Sequence, residues 1–124
     1  MSSPGAAMFA LRAFLVAAWL VIMPITIHAL STKGVSGGAV FFSDFASPWR
    51  AQINADFSVH LGLVMAWIIY REPTRVRGCA LALPALLGSV YLLPYILVAT
   101  FKADGRFDAL LVGPHRRGIE ATQC

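Results

Sequence analysis

Between positions 48 and 60 the chain reads PWRAQINADFSVH, so Arg50, Gln52, Asn54, Asp56 and His60 stand immediately before an aliphatic stretch, LGLVMAWIIY. Residues four apart share one helix face, and Gln52, Asp56 and His60 therefore form a stripe that continues into Val64. Asp56 can accept a hydrogen bond from a ring nitrogen of His60. In a water-poor setting an Asp and a His at this spacing make a proton-handling pair, and the two are the candidate catalytic residues. The competing reading is structural. A carboxylate early in a helix is favoured by free amide donors and the positive end of the dipole, and polar side chains join helices in lipid.

Other residues offer weaker chemistry. Trp49 and Arg50 suit interface anchors, with the ring at headgroup level and the guanidinium reaching phosphates; alternatively Arg50 pairs with Asp44 or Asp56. Tyr91 and Tyr95, four apart in a later apolar run, are candidates to line a lipid or isoprenoid groove, or else serve as packing and belt residues. Glu72 is expected to pair at the surface with Arg71 or Arg75. It lies about 24 Å from Asp56 along a continuous helix, too far for the two to act as an acid and base pair. His28, Asp56 and His60 could in principle hold a metal, but no local spacing motif supports it, and neither metal nor cofactor is expected. Cys79 and Cys124 make no zinc-type spacing.

The elements that must position these groups are membrane elements. Of 124 residues 58% are hydrophobic and 13% charged, against roughly 45–50% and 25% in soluble domains. The net charge of +4 lies at the ends of apolar runs rather than on an aromatic-studded basic face, which argues against nucleic acid. Phosphate-cradling glycine loops and hydrolase or zinc-protease motifs are missing from the sequence.

Three apolar runs have the length to cross a hydrocarbon core of roughly 30 Å. They predict helices at about 10–30, 51–70 and 79–101, followed by a short polar tail over 102–124, in a single domain spanning 1–124. The first run lacks the basic start and cleavage pattern of a signal peptide. Pro24 should loosen its last turns. Between the first two runs, a glycine-rich loop carries Phe41, Phe42 and Phe45 on one side and Asp44 on the other, to lie in the headgroup layer or pack on the helix ends. Pro84, Gly88 and Pro94 predict a bend in the third helix. In the tail, Ala109 to Val112 reads as a docking patch before a frayed end. Three crossings would put His28, Asp56, His60, Tyr95 and Lys102 on one side, and the N-terminus with Arg71, Arg75 and Arg77 on the other. The basic residues then divide about evenly, and the arginine-dense short loop favours an inside N-terminus.

The stretch from Pro48 to Glu72 resembles a pattern in small bacterial and plant membrane proteins of unknown function. It comprises Pro48 and Trp49, Asp56 and Phe57, Trp67, then Arg71 and Glu72; the likeness runs from about Trp49 to Gly113, and His60 has no counterpart in it. The resemblance implies a small three-helix membrane protein with no assigned chemistry. The expectation is an all-α polytopic protein of a bacterial cytoplasmic membrane, in contact with the lipid bilayer. Its expected role is that of a non-enzymatic accessory or assembly subunit, joined to a larger membrane complex or to copies of itself. The alternative is a small enzyme or carrier handling a lipid or isoprenoid through Asp56 and His60.

Overall fold

The computed structural model describes residues 3–113, and every regular element in that range is helical. Helix α1 runs from Pro4 to Lys33 and starts at Ser3, whose side chain accepts from the Ala6 amide; Pro4 sits at the first turn, where its missing N–H has no helical partner to lose. Gly34, at φ 67°, ends it. A tightened turn and the short α2, Val40–Ser43, lead into α3, Pro48–Arg71, which again opens on a proline. Among the described residues, α1 and α3 are the two helices long and apolar enough to cross a membrane.

The third apolar run departs from the single crossing expected over 79–101. It forms α4, Arg75–Ala82, then a 3-10 segment over 83–87, then α5, Ser89–Lys102, and the chain reverses at Gly88. The reversal is visible in the contacts. Tyr91 reaches back to the carbonyl of Leu81, Tyr95 reaches Glu72, and Ala99 shares a cleft with Arg77. Two residues cause it. Pro84 has no N–H to continue the helical ladder, and Gly88 takes φ 70°, which side chains disfavour. At 1.5 Å per residue the 14 residues of α5 reach about 21 Å, so each arm of this hairpin is shorter than a hydrocarbon core.

The hairpin packs between α1 and α3 in one half of the molecule. Against α3, Gly78 approaches so closely that a Cβ there would lie 2.8 Å from the Ile69 Cα, and Ala82 and Ala85 close over the fully buried Ile68. Small residues allow the two backbones to meet. Against α1, α5 runs antiparallel, with Arg12 donating to the side chain (3.0 Å) and carbonyl (2.9 Å) of Thr100 and stacking on Phe101. Trp19 donates to the Val90 carbonyl at 3.1 Å, the acceptor that Pro94, four residues on, leaves without its helical donor.

The tail then folds beneath this end. Helix α6, Phe107–Val112, buries Ala109 and Leu110 against Ala99 and Ala103, so the expected docking patch is a packed helical turn. The expected frayed end, with Cys124, lies outside the described residues. Because α5 returns, Tyr95, Lys102 and α6 stand at the end that holds Arg12 and Arg71, and not beside Asp56 and His28 as three crossings would require. In the opposite half Ile25, Ile27 and Leu30 of α1 and Ile53 and Val59 of α3 are exposed.

Candidate functional site

Helix α3 carries two polar sets with contrasting surroundings. Near its middle, His60 Nδ1 donates to the Asp56 carbonyl at 2.8 Å and lies 3.5 Å from the Asp56 carboxylate. The two side chains are 60% and 69% exposed for Asp56 and His60 respectively, and among the described residues their polar contacts run only to each other. The helix begins at Pro48, so Asp56 stands beyond the first turn, which contains no acidic residue. The structural reading that places the Asp56 carboxylate beside the free amide donors of an early turn therefore does not hold. The alternative in which His28 joins this pair to hold a metal is not assembled: among the described residues no group of three His, Cys, Asp or Glu side chains is placed to hold one.

At the start of α3, Arg50 pairs with Asp44 at 2.8 Å, one of the two partners expected for it, and Trp49 is exposed beside it. Asn54 donates to the Phe41 carbonyl at 2.9 Å, and the Phe41 ring meets Phe57 edge-on, so the phenylalanine loop is fastened to α3. Phe42 stays exposed.

At the other end of α3 lies a connected network that local spacing does not reveal. Arg71 is 4% exposed, and its Nε donates to the Leu110 carbonyl at 3.0 Å. Its Nη1 donates to the Tyr95 hydroxyl at 3.3 Å and lies 3.5 Å from Glu72. Tyr95 in turn donates to Glu72 Oε1 at 2.7 Å, while Arg77 holds Oε2 at 3.0 Å. Glu72, expected at the surface, has a side chain only 8% exposed and is the hub joining α3, α4 and α5. The expected Arg71 partner is present; Arg77 takes the place of Arg75.

Aromatic groups frame this network. The guanidinium of Arg71 lies near the rings of Trp67 and Tyr95, and Trp67 donates to the Leu111 carbonyl at 3.0 Å, fixing α6 beneath α3. Tyr91 and Tyr95 stack with centroids 6.0 Å apart, and Tyr91 donates to Leu81 at 2.7 Å, where Pro84 interrupts the regular ladder. These interactions line a cleft of about 320 Å³ between the hairpin arms. Both tyrosines line it, together with Arg71, Glu72, Arg77 and Lys102.

The two sets are well separated. Tyr95 is bonded to Glu72, 16 positions beyond Asp56, which corresponds to about 24 Å along the helix. One small substrate therefore cannot meet Asp56 and His60 together with the tyrosine pair in this chain. The network was within reach of sequence reasoning in one respect only: an Arg-Glu pair ending an aliphatic helix, with Arg77 close behind, concentrates charge where apolar burial begins. Comparison of the chain with protein families, curated proteins and solved structures finds no match.

Proposed function

We propose that this protein is a non-enzymatic subunit of a membrane assembly, with α1 and α3 crossing the bilayer and the α4–α5 hairpin dipping in from one side. The observation that carries the assembly reading is the exposure of Asp56 and His60 halfway along α3. An ionisable side chain at the centre of a bilayer costs about 2.5–3.5 kcal/mol on insertion scales, and such groups normally face a protein partner or water. Among the described residues nothing covers them. A neighbouring helix, from a larger complex or a second copy, would supply that cover and the missing hydrogen bonds.

The reversal at Gly88 also bears on orientation. With two crossings, Arg12, Arg71, Arg75, Arg77, Lys102 and Arg106 lie on one side, and Lys33 and Arg50 on the other. The even division implied by three crossings becomes a strong bias, which favours placing both ends of the described chain on the cytoplasmic side of a bacterial membrane. Single cysteines at Ser36→Cys and Arg106→Cys, in a Cys79→Ser, Cys124→Ser background, should react with an impermeant thiol reagent from opposite sides. Labelling of both from one side overturns the two-crossing topology.

The assembly reading is tested on blue-native gels with Asp56→Asn and His60→Ala, alongside lipid analysis of the same membranes. Loss of a high-mass band with an unchanged lipid profile is the expected outcome. An intact band with altered lipids instead supports the alternative, an enzyme or carrier acting on a lipid through this pair.

A further inference from the structure

We infer that the cleft between α4 and α5 binds the phosphate of an anionic lipid, with Arg71, Arg77 and Lys102 facing the headgroup and Leu81, Pro94 and Val98 bedding an acyl chain. The charges around the cleft are unequal: three cations stand against the single carboxylate of Glu72. Both oxygens of that carboxylate are already engaged, one by Tyr95 and one by Arg77. Lys102 has no carboxylate partner among the described residues, and it lies at the last turn of α5, where the chain leaves the hairpin.

A second observation points to a ligand. Arg71 is buried to 96%, yet its Nη2 is enclosed without a hydrogen-bond partner among the described residues, while Nε and Nη1 are both in use. An enclosed guanidinium nitrogen left unpaired is destabilising, and a phosphate oxygen would supply it with one strong, charge-assisted acceptor. The remaining wall of the cleft is predominantly apolar, which suits a phosphate carried on a hydrocarbon chain better than free phosphate. Basic pockets between membrane helices commonly hold such headgroups on the cytoplasmic side.

This inference uses the membrane reading for the source of the phosphate and is independent of the assembly reading, because Asp56 and His60 lie far from the cleft. The experiment is native mass spectrometry of the full chain in neutral detergent, incubated with phosphatidylglycerol, phosphatidylcholine or inorganic phosphate. The wild type should retain phosphatidylglycerol selectively, and R77Q combined with K102Q should lower that retention about tenfold. Val98→Trp, which narrows the apolar wall and leaves every charge in place, should lower it as well and serves if the double variant fails to fold. Asp56→Asn should leave retention unchanged. Equal retention of the two lipids, or retention unaffected by the cleft variants, overturns the proposal. Inorganic phosphate that displaces the lipid at equal concentration overturns the lipid assignment in favour of a soluble phosphate.

Discussion

Two polar sets on α3 meet opposite surroundings. At its C-terminal half, Trp67, Arg71 and the adjoining Glu72 are met by donors and acceptors from α4, α5 and α6, and the guanidinium is almost wholly enclosed. In its N-terminal half, Asp56 and His60 meet only each other among the described residues and stand open. The contrast shows where the described residues satisfy their own polar groups and where they leave them open. A hairpin inserted beside one half of α3 supplies side-chain and backbone partners there, whereas the phenylalanine loop beside the other engages Arg50, Asn54 and Phe57 and, among the described residues, leaves Asp56 and His60 without cover.

If that contrast is sound, damage to the enclosed half should be severe and damage to the open half slight. Gly78→Leu should have the largest effect. Its side chain would meet the Ile69 backbone, which cannot move away as a side chain would, so the hairpin should detach from α3 and the thermal unfolding transition of the detergent-solubilised protein should be lost or strongly broadened. Glu72→Gln comes next. Removing the carboxylate leaves Arg71 buried with its charge unbalanced, and stability in a denaturation series should fall by about 3 kcal/mol. Tyr91→Phe removes one donor from the Leu81 carbonyl and should cost about 1 kcal/mol. Asp56→Asn should change the stability of the detergent-solubilised protein by less than about 0.5 kcal/mol, because among the described residues the Asp56 carboxylate meets only the exposed His60. A drop comparable to that of Glu72→Gln would erase the distinction between the halves.

The sequence made some of this legible. Uninterrupted apolar length located α1 and α3, and prolines at the first turn, Pro4 and Pro48, account for their starting a few residues earlier than hydrophobicity alone suggests. Pro84, Gly88 and Pro94 announced a disturbance in the third run, but a bend and a full reversal have the same local signature. What separates them is the bond from Tyr95 to Glu72, 23 residues away, and no short-range periodicity encodes it. The same limit explains the candidate site. Asp56 and His60 stand out because their spacing is local, whereas the Arg71 network is assembled from four helices and becomes apparent only when they are brought together.

The reversal at Gly88 also bears on how the chain would enter a bilayer. With α1 and α3 across it as proposed, only the segment 34–47, with Lys33 and Arg50 at its edges, has to be carried to the far side during synthesis. Arg75, Arg77, Lys102 and Arg106 remain throughout on the side where they are made. The guanidinium that ends up enclosed at Arg71 can thus be gathered in from the near surface as the hairpin closes, without ever crossing the hydrocarbon.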